Sequence, residues 1–127
     1  MARVVLDSSA VLAVLQFETG ADVVMDHLKE AAISAINLTE VATKLVEKGQ
    51  SIAEGRRTIA MLGMDVETID EAQAFAAAAL RATTKSKGLS VGDRHCLALG
   101  AKLGATVLTA DKAWKQVDTG IDVKVIG

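Results

Sequence analysis

At 127 residues the chain has room for one domain able to bury roughly two thirds of its unfolded surface. Half of its residues are apolar but only 2% are aromatic, so a core of Val, Leu, Ile and Ala is expected, and the longest apolar run, Ala74 to Leu80, is far short of the ~20 residues a membrane-spanning helix needs. A formal net charge of −2 argues against nucleic-acid binding by bulk electrostatics, although a nuclease working with a bound cation escapes that objection.

Short β-branched runs alternate along the chain with segments of helical period, the pattern of a parallel sheet covered by helices. In chain order the expected elements are a strand at Arg3 to Leu6, helices at Ala10 to Gln16 and Ala21 to Lys29, and a strand at Ala32 to Ala35. Helices at Leu38 to Lys48 and Ile52 to Leu62 follow, then a strand at Asp65 to Ile69 and a helix at Glu71 to Thr83. The chain closes with a helix at Arg94 to Leu103, a strand at Thr106 to Leu108, a short turn at Lys112 to Gln116 and a strand at Val123 to Ile126. There is no proline, so glycines must break the helices; Gly20, Gly49, Gly63, Gly88 and Gly104 all fall between elements and read as helix ends. Nothing divides residues 1–127 into two domains. A single cysteine, Cys96, excludes an internal disulfide, and with no export signal a cytoplasmic location is expected by default.

Four acidic residues, Asp7, Glu40, Asp93 and Asp111, each stand where a strand or loop hands over to a helix. Stability alone gives each a reason to be there. Asn37-x-x-Glu40 and Ser90-x-x-Asp93 fit capping-box spacing, Asp7 and Asp111 could be N-caps, and a carboxylate at a helix N-terminus contributes about 0.3–1 kcal/mol. Yet Ser, Thr or Asn would cap without adding charge, and acids recur at all four junctions. In an open parallel sheet such positions share one edge. Carboxylates gathered there repel unless a cation neutralises them, and oxygen ligands without a His or Cys pair favour Mg²⁺ or Mn²⁺ over Zn²⁺. Phosphodiester hydrolysis by metal-activated water is the natural reaction for such a site.

The run Val4-Val5-Leu6-Asp7-Ser8-Ser9-Ala10-Val11-Leu12 resembles the opening of PIN-domain ribonucleases, especially the VapC-type toxins of bacterial toxin–antitoxin pairs. Ile36-Asn37-Leu38-Thr39-Glu40-Val41 is similar to the family's second acidic motif, and Leu89-Ser90-Val91-Gly92-Asp93-Arg94-His95-Cys96-Leu97-Ala98-Leu99 to its third. Val107-Leu108-Thr109-Ala110-Asp111 followed by Trp114 resembles the fourth, so the likeness runs the length of the chain. The resemblance implies a three-layer α/β/α sandwich with a mostly parallel sheet. It implies Asp7 and Asp93 as principal Mg²⁺ ligands, Glu40 as the acid that completes the set and orients water or a second ion, and Asp111 as the one that holds water or metal at the rim, all four being catalytic and metal-site residues. Ser8 and Thr109 would be hydroxyl partners of the ligands. The implied activity is cleavage of RNA, such as tRNA or rRNA, by the toxin of a pair; a cognate antitoxin would neutralise it by occupying the cleft, and homodimers or toxin–antitoxin hetero-oligomers would form. Basic residues near the acids are few: Arg94, Lys112, Lys115 and the Arg81, Lys85, Lys87 stretch.

His95 has no partner at ligand spacing and reads as exposed or hydrogen-bonded, and His27 carries no signal. Cys96 reads as a small buried hydrophobe, Trp114 as the anchor of its turn, and the Ala74 to Leu80 run as buried within the monomer. Gly100-x-x-x-Gly104 could allow close packing, with Gly104 ending its helix. Two other classes compete: a non-catalytic module of the same fold whose acids are caps or contacts for a basic segment, and a signalling receiver domain, which would need an acidic pair after the first strand and an Asp after a central one.

Overall fold

The computed structural model describes residues 2–85, 88–116 and 119–127. Strand β1 (Val4–Leu6) is followed by α1 (Ser8–Leu15), α2 (Ala21–His27), a 3-10 turn (Leu28–Glu30), β2 (Ala31–Ser34), α3 (Ala35–Glu47) and α4 (Ile52–Ala60). Next come β3 (Asp65–Glu67), α5 (Glu71–Ala79), α6 (Arg81–Thr84), α7 (Val91–Leu103), β4 (Thr106–Thr109), a 3-10 turn (Lys112–Gln116) and β5 (Val123–Val125).

The strands form one parallel sheet in the order β3-β2-β1-β4-β5, with Val5 paired between Ala32 and Val107. This is not the 2-1-3-4-5 order of receiver-type folds. Alternation along β1 separates two cores. Val4 and Leu6, with Ala31, Ile33 and Leu108, pack against α1 to α4, where Val11, Val24, Val41 and Ile59 are buried. Val5 and Val107 face the other way, onto Cys96, Leu97 and Leu99 of α7 and onto Trp114. Helices thus cover both faces, giving the three-layer α/β/α sandwich. Each Val or Leu fully buried in these layers contributes about 1.5–3 kcal/mol.

Beyond shifts of one or two residues at element ends, four features differ from expectation. Ser34, extended at φ −69°, lets β2 run straight into α3, which therefore begins three residues before Leu38. Ser90 caps α7 so that it starts at Val91 rather than Arg94. Gly104 ends α7 in the left-handed region at φ +61°, whereas Gly20, at φ +93°, begins α2 rather than ending a helix. The helix expected over Glu71 to Thr83 divides into α5 and α6, and its apolar run is not internal: only Gln73 and Ala77 of α5 are buried, while Phe75 is 69% exposed. Alanine on the outer side of a helix that covers α7 needs no burial, only helix propensity.

Candidate metal centre

Strand β1 lies at the switch point of the topology, because the chain leaves it first toward β2 and later returns to its other side as β4. Ligands in open parallel sheets bind beyond the carboxyl ends of strands at such a point. Asp7 follows β1 directly, and Asp111 lies two residues past the end of β4. Helices α3 and α7 both start from this edge, carrying Glu40 one turn in and Asp93 at the third helical position. Four separate segments therefore bring the four acids to one end of the sheet.

Asp7 is buried at 3% exposure and held from three directions. Its Oδ1 accepts from the Ala10 amide at 2.8 Å, making it the N-cap of α1, and from the Ser9 hydroxyl at 2.7 Å. Oδ2 accepts from the Thr109 hydroxyl at 2.5 Å. The hydroxyls are themselves fixed, since Ser9 accepts from the Ala110 amide at 2.9 Å and Thr109 from the Asp111 amide at 3.0 Å. Thr109, expected as a hydroxyl partner of the acids, bonds Asp7 directly. Ser8 does not: among the described residues its hydroxyl forms no bond to Asp7, and it lines a groove of about 370 Å³ with Glu40 between α1 and α3. Ser9 takes that role because it also meets β4, some 100 residues away, which no local rule on Asp-Ser-Ser could reveal.

Asp93 forms a reciprocal capping box, its amide donating to the Ser90 hydroxyl at 3.1 Å and its Oδ2 accepting from the Ser90 amide at 2.9 Å. Glu40 does not cap α3. The expected box with Asn37 fails because both residues lie inside the helix; instead Asn37 Nδ2 donates to Glu40 Oε1 at 2.7 Å and to the Gly92 carbonyl at 3.2 Å, tying α3 to the first turn of α7. Asp111 makes an Asx turn, its Oδ1 accepting from the Ala113 amide at 2.9 Å.

Electrostatics show the cost of this gathering. Burial pushes the Asp7 carboxyl up to about 6, against hydrogen bonds from Thr109, Ala10 and Ser9 that favour its ionised form, and the charge of Asp93 adds to the rise. Burial also raises Asp93, opposed by the Ser90 bonds and reinforced by the charges of Glu40 and Asp111. Asp93 is thus the residue whose field links the set. Among the described residues no three Asp, Glu, His or Cys side chains already stand close enough to hold an ion, consistent with like charges each held by its own local hydrogen bonds. An all-oxygen donor set with two carboxyls raised by burial and, to a lesser extent, by neighbouring carboxylates nevertheless fits a hard divalent cation.

The remaining candidates lie elsewhere. His95 is buried within α7 rather than exposed, with burial and the Arg94 charge holding its imidazole below the ordinary value. Cys96 is fully buried and its thiol pushed well up, an inert core residue. Trp114, 1% exposed, anchors its turn in the second core. His27 bonds Glu30 at 2.8 Å near a cavity of about 760 Å³ also lined by Arg3 and Asp122, where strands begin, far from the acids. Arg94 is half-buried and donates to the Ala77 carbonyl at 3.1 Å, which removes it from the basic set, whereas Arg81, Lys85 and Lys112 are exposed. Lys87 and the side chain of Lys115 lie outside the described residues.

A family model described as a PIN domain matches residues 4–120. No curated protein is matched. Among solved structures, a toxin–antitoxin complex from Klebsiella pneumoniae aligns at 19% identity over 96% of each chain with a TM-score of 0.73. VapBC2 from Rickettsia felis, bound to a DNA fragment from its promoter, aligns at 19% identity over 98% of each chain with a TM-score of 0.71. VapBC-1 from nontypeable Haemophilus influenzae aligns at 18% over 96% of each chain with a TM-score of 0.72. At these identities the likeness is one of fold.

Proposed function

The chain belongs to the PIN-domain family, and from that premise we propose that it is a Mg²⁺-dependent endoribonuclease acting as the toxin of a toxin–antitoxin pair. One observation carries the reading: four carboxylates delivered by four separate segments to the switch-point edge, with Asp93 feeling the other three or being felt by them. Asp7 and Asp93 would hold the cation, with Mn²⁺ able to substitute. When bound, it supplies the Lewis acidity that activates water and offsets phosphate charge. The Ser9 and Thr109 hydroxyls keep the Asp7 oxygens aimed, Glu40 on the groove side would orient the water and take its proton, and Asp111 at the exposed rim would hold water or metal. Exposed Lys112, Arg81 and Lys85 are the cations that an RNA backbone, for instance of tRNA or rRNA, would meet.

The antitoxin partner is supported by the complexes in which similar folds are found. An apolar groove between α3 and α4, lined by Leu38, Ala42, Ile52, Ile59 and Val66, is a surface of the kind an amphipathic segment covers. No helix among the described residues is long and apolar enough to cross a membrane, and the reading takes the protein to act in the cytoplasm, as a homodimer or in a toxin–antitoxin assembly. A second reading, a non-catalytic module, draws on the capping roles of Asp7, Asp93 and Asp111. The two separate in a cleavage assay on labelled RNA with Mg²⁺, Mn²⁺ or chelator. The nuclease reading expects metal-dependent cutting that falls at least about 100-fold in Asp7→Asn or Asp93→Asn, since even outer partners of a metal site cost 10–100-fold. Equal cutting by wild type and the folded variants would refute the site.

A further inference from the structure

Glu40 is held by two residues that local structure does not call for. Asn37 is the third residue of α3 and Gly92 the second of α7, and both are poorer helix formers than alanine. The Asn37 amide nitrogen donates to Glu40 Oε1 and to the Gly92 carbonyl. Both partners only accept, so the amide has one workable orientation, NH₂ toward them. Its Oδ1 is left buried without a partner among the described residues, in a side chain 1% exposed. Packing alone would favour an apolar residue of similar volume, which leaves no acceptor unpaired. What the asparagine supplies is its two donors.

Gly92 forms the opposite jaw. A Cβ built there would stand 2.7 Å from Glu40 Oε2 and 2.9 Å from Oε1, inside any real contact distance. The backbone at Gly92 is helical, so glycine is not needed for its conformation. It is needed for room. The atoms it would strike are the free end of a flexible side chain, so a larger residue would move the carboxylate rather than the helix.

We propose that Asn37 and Gly92 are positioning residues that together seat the Glu40 carboxylate against the first turn of α7, beside Asp93. This rests on the reading of the cleft as a metal-dependent nuclease site, where the placement of that carboxylate sets cation affinity and water orientation. Gly92→Ala is the sharp variant, because alanine suits a helix better than glycine and the fold is retained.

The test has two arms. In ¹⁵N-labelled, metal-free protein, the Asn37 side-chain amide pair, assigned by its loss in Asn37→Ser, is followed by NMR; Gly92→Ala and Glu40→Ala should both shift it. By calorimetry, Gly92→Ala should weaken Mn²⁺ binding about 10-fold or more, while the Gly92→Ala/Glu40→Ala pair should bind no more weakly than Glu40→Ala alone, because the glycine acts through that carboxylate. Unmoved Asn37 signals in Gly92→Ala would overturn the clamp, as would a loss in the double variant that adds to that of Glu40→Ala. Absence of Mn²⁺ binding by wild type would instead sink the nuclease reading and leave the amide signals to decide the clamp.

Discussion

Asp7 is a buried acid kept charged at a cost. Its folded value of about 6 lies above the ordinary 3.8, so the native state binds its proton more tightly than the unfolded chain does. Stability from this group is fully present below about pH 4 and is lost as pH rises through about 6, a difference of roughly 3 kcal/mol at pH 7.5 by the usual conversion. Asparagine mimics the protonated form, and the Ser9 and Thr109 hydroxyls can turn to serve it. Metal-free Asp7→Asn should therefore be more stable than wild type by about 1–3 kcal/mol at pH 7.5, with the gain vanishing near pH 4. Urea melts at the two pH values check this; a variant less stable than wild type at pH 7.5 would mean that burial does not strain this carboxylate.

Helix α7 shows how far local rules reach. Its cap was legible, because Ser90-x-x-Asp93 makes the reciprocal capping box its spacing announces, although the helix was expected only from Arg94. Asn37-x-x-Glu40 has the same spacing and does something else: the asparagine reaches Gly92, 55 residues on, and the helix starts earlier. A pattern of four residues cannot tell a cap from a tertiary tie. Ser8 and Ser9 were equivalent for the same reason, since Thr109 and Ala110 decide between them. Gly100 offers a test at this scale. A Cβ there would stand 2.5 Å from Val107 Cγ2, pressing α7 off β4. Helix propensity would favour Gly100→Ala by up to about 1 kcal/mol, but overpacking costs about 1–3 kcal/mol. The net expectation is destabilisation, read as a lower denaturation midpoint with unchanged slope; a higher midpoint would show that α7 shifts freely on the sheet.

For the molecule as a whole, alternating strands and helices announced a parallel α/β fold, and the acids at their junctions announced a shared edge. Which strand lies at the centre was not legible, because β1 is sandwiched by partners about 25 and 100 residues away. Nor was the engagement of Arg94, which only the approach of α5 to α7 explains. On the proposed function, the four gathered carboxylates would link the stability of the whole molecule to a bound cation. Mn²⁺ at 100 times its dissociation constant should stabilise the metal-free protein by about 2.7 kcal/mol, and the Asp7→Asn/Asp93→Asn variant should lose that gain. Equal thermal shifts in both proteins would place the ion elsewhere.

Whether the acidic edge cuts RNA as a toxin does is decided by inducing wild type and Asp93→Asn in a bacterial host while following growth and mapping new RNA 5′ ends. Growth arrest with discrete cuts from wild type alone is the predicted result. Normal growth with intact RNA from both, each present as folded protein, would contradict it.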